Sequence, residues 1–535
     1  MSVARSLADI KEASIDEIFA PVNQSHQPGA VVGLAAAGRP IYRKGFGLAN
    51  VELPVMLSPS IRMRIGSTTK QFTACTYLML CEAGLAGIDD PIAKHLPELN
   101  PVTHKVTMRQ LMGNTSGLRD ATDLLVQFSG GTVRRVTTDE LLAFYRDIDD
   151  TSFGPGTSYN YNNGGWIILS AVIERITGQP LEAVMWERVF KPIGMYDTLL
   201  RRWDSTYVPN SASCHTLSKS GGYERNETVG GIDFAGAGAM ASTVDDMLRW
   251  MAHMDAPHVG TAETWQLMKT PQRLLNGCST GYGLGLQIAQ YRGVENIQHG
   301  GGGYGSNVQM LKVPAVGLDL IVMVNRSDDW SFTYADRILD TCIPELDPAR
   351  KPQGGPFVEG VYRSPSTGRV VYLRRDNEQQ MAFINGHPYP FEPDAEGVLR
   401  TCGYGSQLGY SIRRIGHPLH PAEIELDDFG NSDRLVAVGP PKVPGAGPVA
   451  GTYRSDTTGT QLTISSGSGG VEMRSTGRFG AALHHLECLA EDIWQTRPDN
   501  EVVLPQSGLL SFDDSGRQLF FTNAMNRKLR FRRID

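Results

Sequence analysis

The sequence predicts a multidomain protein: an α+β unit over residues 1–340, then two all-β units over 350–440 and 448–535. Three observations carry this. Strand-type and helix-type periodicities alternate up to about residue 340, after which the helical one largely vanishes. Two later segments begin alike, Gly360-Val361-Tyr362-Arg363-Ser364 and Gly451-Thr452-Tyr453-Arg454-Ser455, as an internal repeat would. At 535 residues the chain also exceeds what one hydrophobic core usually organises.

The elements follow in order. Met1 to Ala20 is an amphipathic helical pattern without the basic head and unbroken apolar core of a signal peptide. Strand patterns Ala30 to Ala36 and Ile41 to Gly47 flank a turn at Gly38-Arg39-Pro40. A helix is expected from Ser67 to Ala86, with Gly84, Gly87 and Asp89-Asp90-Pro91 marking its exit. A shorter one covers Val106 to Met112 and ends at Gly113-Asn114-Thr115-Ser116-Gly117-Leu118. Helical periodicity resumes over Gly165 to Thr177, Leu181 to Phe190 and Val244 to Met254. Ser242 or Thr243 is placed to cap the last of these, and Asp246 suits its positive end. Strands return at His299, Gln309 to Leu311 and Leu318 to Asn325.

Beyond residue 340, short β-type runs such as Leu373 to Arg375 and Glu501 to Leu504 fit small antiparallel barrels. The Pro- and Gly-rich stretches Pro348 to Pro356 and Gly439 to Pro448 mark the boundaries. Arg527 to Arg533 reads as a last strand with a solvated basic face.

A 41% hydrophobic and 20% charged composition excludes a disordered chain. A net charge of -7, with no cluster of basic and aromatic residues, argues against a nucleic-acid partner. The most apolar late stretch, Val313 to Val324, is too short for a membrane span and carries Pro314, Gly317 and Asp319. Seven cysteines at irregular spacing give neither a disulfide framework nor a metal-ligand cluster. A cytoplasmic enzyme is the simplest account.

The chemistry centres on Ser67-Thr68-Thr69-Lys70 at the head of the apolar stretch Phe72 to Leu80. Positions three apart share a helix face, so the Lys70 amine can reach the Ser67 hydroxyl. That spacing is common by itself. It gains weight from Tyr161-Asn162-Asn163, behind the turn Pro155-Gly156, and from His299-Gly300-Gly301-Gly302-Gly303.

With these three motifs in this order, the chain resembles the penicillin-recognising serine hydrolases. That family includes class C beta-lactamases, D-Ala-D-Ala carboxypeptidases and esterases, and the plan of this chain is similar to its long, three-domain D-aminopeptidases. The resemblance implies a beta-lactamase-like α+β catalytic domain followed by two antiparallel β-barrels, without cofactor or metal. It implies an acylated Ser67, proton transfer shared by Lys70 and Tyr161, an orienting Asn163, and a catalytic His299 with Gly300 and Gly301 lining one edge of the cleft. Which of Lys70 and Tyr161 is the first base stays open, since coupled groups share their titrations.

The expected substrates are short peptides, amides or esters with an N-terminal D-amino acid such as D-Ala, and the resemblance makes a homodimer plausible. In such relatives a loop of the last barrel reaches the cleft. The corresponding segment is Trp494 to Asn500, where Asp499 would attract a substrate ammonium. Where many members carry Lys-x-Gly this chain has His299-Gly300-Gly301, and a neutral histidine suits a substrate carboxylate less well. Two alternatives remain: an esterase, amidase or beta-lactamase-like hydrolase of other small substrates, or a non-catalytic protein that binds peptidoglycan fragments.

Overall fold

The computed structural model describes residues 7, 10–129, 135–218, 220–226, 231–349, 357–402, 409–440, 449–467, 470–478, 480–490, 492–499, 507–513 and 515–535. The predicted strand Glu501 to Leu504 and most of both predicted linkers lie outside them. The first domain is built on a six-stranded antiparallel sheet. Its strands are β1 (Ala30–Ala36), β2 (Arg39–Phe46), β3 (Gln287–Tyr291), β4 (Val294–Gly303), β5 (Ser306–Val313) and β6 (Leu318–Val324), in the order β3-β4-β5-β6-β1-β2. Ala30 lies opposite Val324 and Ala36 opposite Leu318, so the two ends of the domain are stitched together at the centre of the sheet.

β5 and β6 are buried along their whole length because both faces of the sheet are covered. One face takes α1 (Glu12–Phe19) and a late helix, Ser331–Cys342, packing Phe19, Tyr334 and Ile338 onto Val32, Leu320 and Val322. The other face takes the helical layer that carries the site. It contains α2 (Lys70–Glu82), α3 (Ala121–Ser129), α4 (Asn163–Thr177) and α5 (Val244–His253).

Local chemistry moves several boundaries. The first hairpin turns on Ala37 and Gly38, both at positive φ, as a tight two-residue turn requires. Arg39 and Pro40 therefore belong to β2, an edge strand in which a missing N–H is tolerated. α4 begins two residues early because Asn162 caps it, accepting the Gly165 N–H at 2.8 Å, and it stops at Gly178 in the left-handed region. Thr243 caps α5 by accepting the Asp246 N–H.

Two closed eight-stranded antiparallel barrels follow, spanning Gly360 to Val438 and Gly451 to Arg533. The repeated tyrosines, Tyr362 and Tyr453, are buried at equivalent places in their first strands. The last strand is Leu529–Arg533, shorter than expected. Arg527 lies before it in a turn, and its guanidinium donates to Ser158 Oγ and Tyr159 O of the first domain instead of facing solvent. The seven cysteines are free thiols, and no helix among the described residues is long and apolar enough to cross a membrane.

Candidate active site

The expected helix start at Ser67 is instead a 3-10 turn, Gly66–Thr69, whose last N–H bond runs from Lys70 to Ser67 O. Side chains three apart eclipse in that geometry. Lys70 Nζ accordingly lies 3.1 Å from Ser67 Oγ. The turn is pressed against β4. A Cβ on Gly66 would sit 2.7 Å from Gly302 N, and one on Gly301 would sit 1.9 Å from Ile65 O, so both positions require glycine. Thr68 Oγ1 adds a hydrogen bond to His299 O.

Lys70 is wholly buried while Ser67 is half-buried, which puts the hydroxyl at the cleft and seals the amine beneath it. The amine donates to Asn163 Oδ1 at 2.8 Å and to Ala237 O at 2.7 Å. Burial holds Lys70 well below its ordinary value, against the opposing pull of the Asp120 carboxylate. A neutral amine has two N–H groups and one lone pair. The two acceptor oxygens engage the N–H groups, so the lone pair is left facing Ser67. Tyr161 completes the group: it lines the same cleft as Ser67, and burial raises its phenol above the ordinary value, with Ser67 pulling the other way. Its ring centroid is 4.7 Å from Lys70 Nζ.

Sequence reasoning missed Asp120. Its Oδ2 accepts the Asn163 N–H at 2.6 Å, and its Oδ1 accepts from the Thr122 N–H and hydroxyl at 2.9 and 2.6 Å. The only signal was its place just past the loop Asn114 to Leu118.

A family model described as Beta-lactamase matches residues 15–340, more than half of the chain. The chain belongs to the beta-lactamase family. It is 26% identical over 493 residues to the D-aminopeptidase of Brucella melitensis biotype 2, with 90% of each sequence covered. The fold is similar to that of the octameric penicillin-binding protein homologue from Pyrococcus abyssi (TM-score 0.56, 22% identity, 79% of this chain and 98% of that one). It is also similar to that of the D-amino acid amidase from Ochrobactrum anthropi SV3 (TM-score 0.52, 22% identity, 62% and 97%).

In this beta-lactamase family domain His299 sits on β4 with both ring nitrogens engaged. Nδ1 lies 2.6 Å from Gly300 O, and a carbonyl can only accept, so Nδ1 carries the hydrogen. Nε2 then accepts from the Tyr282 hydroxyl at 2.9 Å. Burial, helped by Lys70, pushes the imidazole down to about 3, so it is neutral across the ordinary pH range. Its ring centroid lies 6.4 Å from that of Tyr161.

Ser67, Tyr161, His299, Gly300 and Gly301 line one cleft of about 800 Å³. The far lip of that cleft belongs to the first barrel, through Glu392, Arg400, Thr401 and Cys402, which sequence reasoning did not assign to the site. Asp499 is not brought to it. It ends the strand Ile493–Pro498 of the second barrel and is mostly exposed, and its carboxylate is engaged by His485 Nε2 at 3.0 Å. The residues after it, 500–506, lie outside the described ones. Among the described residues no group of His, Cys, Asp and Glu is placed to hold a metal.

Proposed function

We propose that this chain is a serine hydrolase that releases N-terminal D-amino acids, such as D-alanine, from short peptides, amides or esters through an acyl-enzyme. The observation that carries the reading is the buried Lys70 amine, with its two acceptor oxygens and its remaining face turned to Ser67. Lys70 takes the Ser67 proton as Oγ bonds to the scissile carbonyl carbon. The Ser67 N–H, with one from the Gly301 to Gly303 end of β4, receives the oxyanion. Tyr161, protonated at neutral pH, gives its proton to the leaving amine or alkoxide and recovers one from the attacking water in deacylation. The D-aminopeptidase relatives support the choice of leaving residue. A neutral His299 supports it too, since it leaves the β4 edge without a fixed cation for a substrate carboxylate.

The test is hydrolysis of D- and L-alanine p-nitroanilides, each with a free or acetylated amino group, with mass spectrometry for an adduct on Ser67. Turnover of the free-amine D-compound is expected, and preference for acetylated or L-compounds would replace the reading with an esterase or amidase. Ser67→Ala should lower turnover by about 10⁴-fold or more.

Lys70→Met should lower turnover by about 10²–10⁴-fold. It should also stabilise the fold below about pH 10, for the following reason. The unfolded chain binds a lysine proton that the buried amine does not, so native stability falls as pH drops below the ordinary lysine value. Wild-type turnover should correspondingly rise with pH through the depressed Lys70 value.

A further inference from the structure

Asn163 ties the Ser67 group to a part of the chain more than 350 residues away. The turn Asn523 to Lys528, between the second barrel's last strands Gln518–Thr522 and Leu529–Arg533, grips both segments that hold Asn163 in place. On the Asp120 side, Asn526 Oδ1 accepts the Asp120 N–H at 3.0 Å. Asn526 Nδ2 donates to Asp123 Oδ2 at 2.7 Å, and Asn523 Nδ2 donates to the same oxygen at 2.7 Å. Arg119 Nη1 donates to Arg527 O at 2.5 Å. On the Tyr161 side, Met525 O accepts from Asn160 Nδ2 at 2.9 Å, and Met525 Sδ lies 4.0 Å from Asn163 Nδ2. Asn523, Asn526, Asp120 and Asp123 are all almost wholly buried.

The chemistry here is specific to an amide. The Asp120 N–H needs an acceptor and Asp123 needs a donor, and one side chain supplies both from a single plane. An alanine would leave the Asp120 N–H buried and unpaired and would strip Asp123 Oδ2 of one of its two donors, leaving it Asn523. A carboxylate would keep the acceptor but meet Asp123, whose carboxyl is already pushed up to about 7 by burial and by Asp120.

We infer that Asn526 is a positioning residue for the Ser67 centre: through Asp120 it fixes Asn163, hence the direction in which the Lys70 lone pair points, so the acylating group is complete only with the second barrel docked. This rests on the serine-hydrolase reading above. The Ser67–Lys70 distance is set inside the 3-10 turn, so the barrel governs orientation and not proximity. Misplacement of a reacting group by about 1 Å lowers rates by about 10²-fold.

The experiment compares wild type, Asn526→Ala, Asn526→Asp and Met525→Ala as full chains. It reads the rate of Ser67 modification by a fluorophosphonate probe, kcat and KM on D-alanine p-nitroanilide, the pH profile, and the folded fraction by circular dichroism. Asn526→Ala is expected to lower the labelling rate and kcat by about 10- to 100-fold per folded molecule, with KM within about threefold and the acid limb of the pH profile displaced. Met525→Ala, which removes one contact and no buried polar partner, keeps the test open if the Asn526 variants do not fold, and should show a smaller loss of the same kind. Wild-type labelling and kcat per folded molecule in every folded variant would overturn the inference while leaving the Ser67 reading intact. If wild-type Ser67 takes no label, with Ser67→Ala as control, the reading itself fails and the inference with it.

Discussion

The two barrels open with the same five-residue pattern and close with eight strands each, yet they join the first domain in different ways. The second is plugged by α3. Phe128 packs between Phe521 and Phe531, with ring centroids 5.0 and 5.8 Å away. The last-turn carbonyls of α3, which no helix can satisfy internally, are met by the barrel: His484 Nε2 donates to Gln127 O and Ser475 Oγ to Phe128 O, both at 2.8 Å. Barrel residues such as Leu462, Met473 and Phe531 thus share one continuous core with α2 and α4.

The first barrel keeps its own core, with Val371, Ile412, Leu426 and Leu435 at its centre. It meets the first domain at its rim, through Asn276 Nδ2 on Phe429 O at 3.1 Å, Asn431 Nδ2 on Thr157 O at 3.2 Å, and Phe429 against Tyr159. A repeated sequence specifies the barrel. What fills its mouth decides whether the barrel is part of the domain core or a lip beside it.

The strongest way to break this contrast is Phe128→Ala. The loss of a buried aromatic shared by two domains should cost about 3–5 kcal/mol. Urea unfolding followed by tryptophan fluorescence and activity should show the second barrel and the first domain shifting together. Ile412→Ala in the first barrel should cost about 2–5 kcal/mol and move only a separate transition. A single transition shifted by both variants would erase the distinction.

The sequence made the site more legible than its surroundings, for a physical reason. Ser67, Lys70, Tyr161 and His299 are set in short local patterns whose spacing carries the geometry. Asp120, Asn523 and Asn526 are ordinary polar residues that acquire meaning only through pairing across some 400 positions. The same limit explains Arg527, whose alternation with apolar neighbours imitates a solvated strand although a turn buries it at a junction between domains. α3 went unread because it is short and its Phe128 packs on aromatics of a barrel later in the chain. The barrels were legible as β-rich repeats, but which one would be plugged was not.

A smaller effect comes from His484, buried in the joint between α3 and the second barrel. Burial pushes its imidazole down to about 4, from an ordinary 6.5. Between these values the unfolded chain binds a proton that the folded joint does not, so stability should rise with pH through that window and level off above it. The amplitude is on the order of 2–3 kcal/mol. His484→Gln should flatten this limb in urea midpoints taken from pH 4.5 to 8, for the joined transition alone. An unchanged limb would mean that His484 is not what couples the joint to protons.

The smallest effect tests the lip. Arg400 lines the same cleft as Ser67, but its side chain is 55% exposed and, among the described residues, is held by Asp394, with Nε 2.7 Å from Oδ2. Water screens such a charge, so its contribution to substrate binding should stay within about 1 kcal/mol. It touches none of the Lys70 partners, so it has no route to the proton transfer. Arg400→Ala should therefore raise KM by about two- to fivefold and leave kcat unchanged, the pattern of a group that binds substrate and transition state alike. A tenfold fall in kcat would place the first barrel inside the catalytic group and make the two barrels equal partners in the chemistry. A change in KM alone keeps the first barrel as a wall of the cleft, set apart from the barrel whose last turn holds Asn163 in line.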